Sequence, residues 1–384
     1  MKLARCYNVE DLRRAAQQRL PKGLFEFIDR ATEDDVAMRR NREGFERLRL
    51  MPRALVDVSQ RSTATRVFGR EWSMPLAVSP AGPAGFFWHR GELALARAAA
   101  SAGVPFTLST YSTTPMEDIV ASGAAVWLQL YLWNDRSISH GLVDKARALG
   151  VQALVVTVDT PVLGQREYLH RNGFLPPFKV SVRAGLDMLR HPRWLASVPV
   201  RYALSGQWPR VVNAPSPDPG QTAAQVDARA SLSESAGWED IARLRALWPH
   251  PLLIKGILRP EDAVRAMQIG CDGIIVSNHG GRNLDAAASP IDVLSRIVEA
   301  VGGKASVLMD SGVRRGSDIV RALALGATAV MAGRPMLYGV AAAGETGALH
   351  ALELLRSELD RSMALLGCPS IAGIAPDLLA SEAQ

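Results

Sequence analysis

Cysteines are few in this sequence, and long apolar runs are absent. Its 3 cysteines, Cys6, Cys271 and Cys368, lie far apart and lack metal-ligand spacing. We therefore expect a reduced cytoplasmic protein without a zinc site. The first 14 residues have no apolar centre of the signal-peptide type, and no run approaches the ~18 apolar residues of a membrane-spanning helix. The sequence thus predicts a chain that is neither exported nor threaded through a membrane.

Two binding motifs are also missing. No Gly-x-Gly-x-x-Gly follows a strand-like run, so a nicotinamide fingerprint is absent. No RNA- or DNA-binding motif accompanies the net charge of +6, which argues against a nucleic-acid partner. With 48% hydrophobic and 21% charged side chains, the 384 residues can bury one large core. A single α/β barrel with additions and a pair of domains both fit this length.

Most of the positive charge falls in one segment, residues 178–214. Its 6 basic residues and single acid, Asp187, give +5 of the net +6 and leave +1 for the rest. The basic residues are Lys179, Arg183, Arg190, Arg193, Arg201 and Arg210, and they interleave with Phe178, Leu186, Met188, Leu189, Trp194, Leu195, Tyr202 and Trp208. This composition is typical of a segment at a membrane surface, where each basic residue contributes ~1 kcal/mol. A solvated loop over the active site is the alternative.

Short apolar runs alternate with helix-patterned segments from Met74 onward, the order of parallel βα units. The predicted strands are 75–79, 105–109, 125–130, 153–158, 251–255, 273–277, 306–310 and 328–332. Eight units predict an α/β fold, a closed (β/α)8 barrel. The fourth and fifth strands begin 98 residues apart, at 153 and 251, which predicts an insertion at 174–236. We divide the chain into a helical extension (1–73), the barrel (74–376) and a tail (377–384).

Polar or charged residues stand at the carboxyl end of every predicted strand. In a (β/α)8 barrel these ends meet on one face, where active sites are built. Any single one is also compatible with a helix cap or a core serine. The set is Ser79, Ser109, Gln129, Thr157 with Asp159, Lys255, Ser277 with His279, Asp310, and Gly333 with Arg334.

The stretch 277–285, Ser-Asn-His-Gly-Gly-Arg-Asn-Leu-Asp, reads as the loop that leaves one of these strands. Its two glycines allow a sharp turn between His279 and Arg282, so both side chains can converge on one small anion. His279 would then move a proton while Arg282 holds a carboxylate. An ordinary Gly-Gly turn with a surface histidine is the alternative.

Two successive loops near the end of the barrel combine glycine with arginine, Gly312 with Arg314 and Gly333 with Arg334. Free backbone N–H groups and guanidinium charge suit a phosphate, which such barrels often bind at this corner. Tight turns with solvent-facing arginines are the alternative. Lys255 ends an otherwise apolar strand and predicts a buried anion as its partner. A Schiff-base lysine is the competing interpretation, and it predicts a carbonyl substrate.

The stretch 277–285 resembles the active-site signature of the FMN-dependent 2-hydroxy acid dehydrogenases and oxidases, although most members have glutamine where this chain has Asn283. The likeness runs from about Val9 to about Pro376 and favours the mandelate and lactate dehydrogenase branch. It implies FMN, a homotetramer, and a membrane-associating segment within the insertion. The protein would then lie on the inner face of the cell membrane.

The resemblance also implies roles for individual residues. His279 would act as general base, with Asp159 paired to its ring. Arg166 would join Arg282 on the substrate carboxylate, and Tyr131 would hydrogen-bond the hydroxyl or keto oxygen. Lys255 would lie against the flavin edge where negative charge develops on reduction. The expected FMN contacts are Ser79, Pro80, Ala81, Ser109, Gln129, Thr157, Lys255, Ser277, Asp310, Gly312, Arg314, Gly333 and Arg334.

Two positions refine the expected substrate. Phe27 stands where most of the family has a tyrosine that binds the carboxylate, and losing one charge-assisted hydrogen bond costs about 1.5 to 3 kcal/mol. The pocket becomes more apolar, which favours an aryl substituent. Gly82 stands where the oxidases usually have alanine, and in this family that glycine accompanies dehydrogenases. Tyr111 is expected to line the substrate side chain.

The predicted reaction is oxidation of an (S)-2-hydroxy acid, mandelate-like or lactate, to the 2-keto acid, with electrons passed to a membrane quinone or a similar acceptor. The first alternative keeps fold and FMN but makes a soluble oxidase that produces hydrogen peroxide. The second is a flavin-dependent isomerase of the isopentenyl diphosphate type. That isomerase needs a diphosphate site, whereas Asp159, Arg166, His279 and Arg282 suit a carboxylate better.

Overall fold

The computed structural model describes residues 3–173, 182–213 and 232–380. Its strands are β1 Thr65–Val67, β2 Arg70–Trp72, β3 Leu76–Val78, β4 Phe106–Ser109, β5 Val126–Leu130, β6 Ala153–Thr157, β7 Leu252–Ile257, β8 Gly273–Val276, β9 Ser306–Met309 and β10 Ala329–Ala332. Its helices are α1 Val9–Arg19, α2 Lys22–Asp29, α3 Val36–Arg47, α4 Gly91–Ala102, α5 Met116–Val120, α6 Arg136–Ala148, α7 Glu167–Arg171, α8 Val182–Leu189, α9 Pro192–Ser197, α10 Pro199–Ser205, α11 Trp238–Leu247, α12 Pro260–Gln268, α13 Pro290–Val301, α14 Gly316–Ala324 and α15 Arg334–Leu366. Short 3-10 turns lie at Leu3–Arg5, Ala84–Phe86, His279–Gly281, Ile371–Gly373 and Pro376–Leu378.

Strands β3 to β10 form a closed parallel barrel in the order β10-β3-β4-β5-β6-β7-β8-β9. The predicted (β/α)8 fold is therefore confirmed. Each predicted strand overlaps an observed one, and the largest difference is at β7, which runs to Ile257 rather than to 255. The register of β7 against β8 shifts between Lys255 and Ile257, around Gly256 at φ 105°. Parallel strands buried on both faces read as continuous apolar runs, which is why the sequence locates them well.

A two-stranded hairpin, β1–β2, contributes to the inner core of the barrel. Trp72 and Phe68 pack their rings against Trp127 of β5 at 5.6 and 5.9 Å between centroids. The hairpin turn, Phe68-Gly69, has φ 48° and 74°. Two positive φ values in a two-residue loop define a type I′ turn, which usually carries asparagine or glycine first. Because phenylalanine gives no such signal, the predicted helical extension missed this hairpin.

The insertion lies between β6 and β7, after the fourth barrel strand as predicted. Residues 178–181 and 214 of the basic segment lie outside the described residues, as does the tail from 381 onward. Within the described part, Trp194 and Tyr202 are buried rather than exposed. Trp194 Nε1 donates to the Phe86 carbonyl at 2.9 Å, and the Arg90 N–H donates to the Tyr202 hydroxyl at 3.1 Å. These two aromatics attach the insertion to the barrel, which corrects the expectation that they face a membrane.

The last helix, α15, packs along α1, α4 and α14. Its helical backbone is interrupted at Ala343 and Gly344. A side chain at Gly344 would lie 2.4 Å from the Trp88 ring, and its φ is 62°, so only glycine fits this break. No helix in the described ranges has both the length and the apolar character that a membrane crossing requires. The domain limits at 73/74 and 376/377 stay predictions.

Candidate active site

A cavity of about 300 Å³ opens at the carboxyl ends of the barrel strands. Every barrel strand contributes a lining residue at its end or in the loop that follows. All the predicted site residues line this cavity except Asp159 and Ser277, each of which hydrogen-bonds a lining residue. The lining ones are Phe27, Ser79, Pro80, Ala81, Gly82, Ser109, Tyr111, Gln129, Tyr131, Thr157, Arg166, Lys255, His279, Arg282, Asp310, Gly312, Arg314, Gly333 and Arg334.

His279 and Asp159 form a partly buried pair, with Nδ1 2.9 Å from Oδ1. Burial lowers the pKa of His279, against the raising effect of Asp159. Burial acts to raise the pKa of Asp159, but His279 and Lys255 hold it below its ordinary value. At neutral pH the carboxylate is therefore ionised and the imidazole neutral. Because an ionised carboxylate only accepts, Nδ1 carries the ring proton and Nε2 keeps its lone pair.

Backbone conformation sets the position of this histidine. His279 itself has φ 58°, and Gly280 and Gly281 follow at 67° and 77°. A side chain at Gly281 would lie 2.7 Å from the Met38 backbone nitrogen, so the turn closes tightly against α3. The position of Asp159 depends on Gly256, because a Cβ at Gly256 would lie 2.6 Å from the Asp159 Cβ. The pair thus depends on glycines in two different loops.

Two arginines lie side by side at the same end of the cavity. Arg282 Nη1 donates to the carbonyls of Phe27 and Arg30 at 2.8 and 3.0 Å, and Arg166 Nη2 donates to the Arg282 carbonyl at 3.0 Å. Burial and the charge of Arg282 lower the pKa of Arg166 to about 9. Within the described ranges neither guanidinium has an acidic side chain in ion-pair distance. Two partly buried cations without an acid form a site for an anion.

A second cationic corner lies by the loops after β9 and β10. Arg334 donates to the carbonyls of Ile28, Gly280 and Arg30 at 3.1, 2.9 and 3.1 Å. Burial, together with neighbouring Arg314, lowers the pKa of Arg334 to about 10. Gly312 has φ 94°, and a side chain there would lie 2.7 Å from the Asn41 carbonyl. This corner has the glycines and the charge that a phosphate requires.

Lys255 has an anion partner in the protein itself. Its Nζ lies 3.1 Å from Oδ2 of Asp310 and 2.8 Å from Oγ of Ser277. Asp310 also accepts from the Ser311 hydroxyl at 2.9 Å. The sequence predicted a buried anion for Lys255 but not that Asp310 would supply one, because the two residues end strands that are not neighbours.

Three polar atoms that line the cavity are buried without a hydrogen-bond partner among the described residues: Ser79 Oγ, Gln129 Nε2 and Thr157 Oγ1. Gln129 uses its other atom, Oε1, which accepts from Ser109 Oγ and the Thr110 N–H, each at 3.3 Å. Leaving a buried polar group unpaired costs about 1–3 kcal/mol. Such atoms indicate a ligand rich in hydrogen-bonding groups, and with the phosphate corner they fit FMN.

Aromatic rings form another part of the cavity wall. Tyr111 packs against Tyr131 and Trp133, with centroids 5.5 and 5.9 Å apart. Burial raises the pKa of Tyr131, so its hydroxyl is a hydrogen-bond donor at neutral pH. The Phe27 ring lies against the Arg282 guanidinium, 5.1 Å from its Cζ. The wall is therefore aromatic, with two phenols, Tyr111 and Tyr131, beside the arginines.

Several lining residues escaped sequence reasoning. Thr160 directly follows Asp159, and this adjacency was the one available signal. Ser311 lines the cavity with φ 75°, a conformation the sequence does not reveal. Val211 comes from the insertion, where composition alone does not distinguish a lining residue from a surface one. Phe86, Leu163 and Leu169 are further apolar residues of the lining.

The fold and the site together define a (β/α)8-barrel enzyme with places for a phosphate-bearing cofactor and an anionic substrate. Comparison with known proteins identifies the family of this enzyme. Residues 16–381 match the family described as FMN-dependent dehydrogenase. The chain belongs to the FMN-dependent dehydrogenase family, and the predicted family, FMN cofactor and oxidoreductase class are confirmed.

Two relatives and one solved structure show how close the likeness is. The chain is 45% identical over 378 residues to (S)-mandelate dehydrogenase of Pseudomonas putida, covering 98% of this chain and 94% of that protein. It is 41% identical over 373 residues to an L-lactate oxidase of a Nostoc species, covering 96% of each. The crystal structure of the monotopic membrane protein (S)-mandelate dehydrogenase matches with a TM-score of 0.92 and 44% identity, over 98% of this chain and 99% of that one.

Proposed function

We propose that the protein oxidises an (S)-2-hydroxy acid to the 2-keto acid, with a mandelate-like acid preferred over lactate, and passes the electrons to a membrane quinone. The observation that carries the proposal is the pair of acid-free guanidiniums, Arg166 and Arg282, beside the His279 imidazole. The names of the relatives, (S)-mandelate dehydrogenase and L-lactate oxidase, support the same substrate class. A diphosphate substrate fits less well, because the phosphate corner is needed for FMN.

The residues divide the chemistry among them. Arg166 and Arg282 bind the substrate carboxylate, and the Tyr131 hydroxyl donates to the substrate oxygen. His279 Nε2 then takes a proton from the α-carbon or the hydroxyl group. Asp159 stabilises the resulting imidazolium through its bond to Nδ1. Bound FMN supplies the two-electron acceptor for this oxidation.

FMN is held, in this proposal, by the unpaired donors and by the cationic corner. Gln129, Thr157 and Ser79 offer the buried polar atoms that lack a described partner. Lys255 provides positive charge where the reduced flavin is negative, and Asp310 keeps the ammonium in place at 3.1 Å. The residues that would hold the phosphate are those of the last two loops, Gly312, Arg314, Gly333 and Arg334.

The proposed preference for a substrate with an aryl substituent follows from the aromatic residues of the cavity wall. Phe27 supplies an aromatic face without a hydroxyl, and Tyr111 adds a second ring. Gly82 is tightly placed, because a Cβ there would lie 2.9 Å from the Tyr111 carbonyl oxygen. Alanine at this position would displace the loop that carries Tyr111. Glycine therefore keeps space for both the cofactor and a bulky substrate.

The acceptor proposal depends on the insertion. Its outer surface exposes Val182, Leu186, Leu189, Leu204 and Trp208, at 84, 55, 69, 83 and 58%. Arg190, Arg193, Arg201 and Arg210 are also exposed. Apolar and basic side chains on one short segment suit the anionic inner leaflet, where a quinone is available. The likeness to a monotopic membrane protein supports peripheral attachment, and the homotetramer stays a prediction.

A soluble oxidase that produces peroxide is the second candidate, favoured by the relative named L-lactate oxidase. The test is anaerobic stopped-flow reduction of the bound flavin by (S)-mandelate, (R)-mandelate, L-lactate and glycolate, followed by reoxidation with air or a quinone analogue. We expect bleaching by the (S)-acids, fastest with mandelate, and faster reoxidation by quinone. Bleaching by none of the acids would refute the proposed reaction, and rapid peroxide formation would favour the oxidase.

A further inference from the structure

The hydroxyl of Thr160 lies where four functional side chains meet. Its Oγ1 is 3.1 Å from Asp159 Oδ1, 3.4 Å from His279 Nδ1 and 2.8 Å from Asn283 Nδ2. Tyr131 is the fourth neighbour of this hydroxyl. Thr160 is 7% exposed and lines the cavity. A single hydroxyl has one proton and two lone pairs, so the direction of each bond matters.

Asn283 fixes these directions. One atom of its amide lies 2.7 Å from the Asp159 main-chain carbonyl, which can only accept, so that atom is the nitrogen. The same nitrogen gives its second proton to Thr160 Oγ1. With a lone pair so occupied, the threonine directs its own proton to the Asp159 carboxylate. His279 Nδ1 donates to the same carboxylate oxygen at the shorter distance of 2.9 Å.

Asp159 Oδ1 therefore receives protons from two sides, while Oδ2 has no partner among the described residues. The carboxylate is fixed in rotation through Oδ1 alone. Without the threonine hydroxyl, only the imidazole would hold it, and the imidazole would lose the support that fixes its ring.

We propose that Thr160 is the positioning residue that orients the Asp159–His279 pair, and that Asn283 sets the direction of its proton. The inference rests on the proposed role of His279 as base. It assigns to Thr160 an effect on the rate of proton removal and little effect on binding of the substrate carboxylate, which the arginines perform.

Thr160→Val and Thr160→Ser separate the hydroxyl from the methyl group in the full-length, FMN-loaded protein. We expect Thr160→Val to lower the rate constant of anaerobic flavin reduction by about 10- to 100-fold while changing the substrate dissociation constant little. Thr160→Ser should restore most of the rate. A wild-type rate in Thr160→Val, or equal impairment in both variants, would overturn the inference, because the methyl group would then be the important part.

A second measurement needs no substrate. NMR of protein labelled with ¹⁵N-histidine reports the tautomer of each imidazole, and the His279→Asn variant identifies the His279 signal. Wild-type His279 should show one tautomer, with its proton on Nδ1. Thr160→Val should show a mixture of the two tautomers. Asn283→Leu should act in the same direction, and Asn283→Gln, which keeps the amide, should restore the single tautomer. An unchanged tautomer in Thr160→Val would refute positioning even if the proposed reaction holds. If the substrate does not reduce the flavin of the wild type, the proposed reaction is refuted, whereas the tautomer measurement still tests the positioning role of Thr160.

Discussion

The ammonium of Lys255 lies 3.1 Å from the carboxylate of Asp310, and both side chains are almost fully buried, at 4 and 9% exposure. The pair joins β7 to the loop after β9 across the carboxyl face of the barrel. Removing one partner of a buried ion pair leaves an uncompensated charge, whereas removing both does not. The cavity therefore depends on this pair for its stability as well as for its charge.

Lys255→Met should destabilise the FMN-free protein by about 3–5 kcal/mol, because the Asp310 carboxylate is left without its cation. The double variant Lys255→Met with Asp310→Asn should be more stable than the single variant. Urea unfolding of the wild type, both single variants and the double variant measures the coupling. Strictly additive losses would show that the two side chains do not stabilise each other.

His279→Ala should retain FMN and lose flavin reduction by about 10²- to 10⁴-fold, the range of a general base. His170, which is exposed on α7, provides the matched control, and His170→Ala should leave the rate unchanged. Absorbance of bound flavin and stopped-flow reduction measure the two properties. Near-normal reduction in His279→Ala would remove this residue as the base.

The pH profile of kcat/KM gives a separate test of the same residue. A base works when it is deprotonated, and burial lowers the pKa of His279. The imidazole therefore stays neutral to a lower pH than free histidine, and the acid limb should lie below about 6.5. Steady-state rates with a quinone analogue, measured from about pH 5 to about pH 8, locate this acid limb. An acid limb above the ordinary histidine value would contradict the burial argument.

Sequence reasoning located the barrel strands because a buried parallel strand is an apolar run that ends in polar residues. Gln129 and Lys255 show this well, since each ends such a run and each lines the cavity. It failed where position depends on packing between distant elements. Trp194 and Tyr202 read as membrane-facing, because composition does not reveal which face of a short helix meets the barrel. The Phe68-Gly69 turn and the left-handed Ser311 leave no mark in the sequence.

The insertion can be tested without disturbing the residues that attach it. Replacing Leu189, Leu204 and Trp208 by serine removes exposed apolar surface and keeps Trp194, Tyr202 and Val211. We expect the variant to leave anionic vesicles while its turnover with soluble dyes is preserved. Trp194→Ala is the contrasting change, expected to cost about 3–5 kcal/mol of stability. Unchanged sedimentation of the triple variant with vesicles would refute the membrane surface.

Phe27→Tyr addresses the preference between substrates. The ring lies against Arg282 in the cavity wall, so a hydroxyl added to it would enter the same part of the cavity as the guanidinium that is proposed to bind the carboxylate. One charge-assisted hydrogen bond contributes about 1.5–3 kcal/mol, equivalent to roughly 10- to 100-fold in affinity. Lactate, which lacks an aryl group, should gain most of this, and mandelate should gain less because the new hydroxyl makes the wall more polar. Dissociation constants from flavin reduction, with Phe86→Tyr as a control elsewhere in the wall, measure the change. If lactate binds Phe27→Tyr no better than the wild type, then Phe27 does not set the preference, and the aromatic pair Tyr111 and Tyr131 becomes the part of the wall to vary.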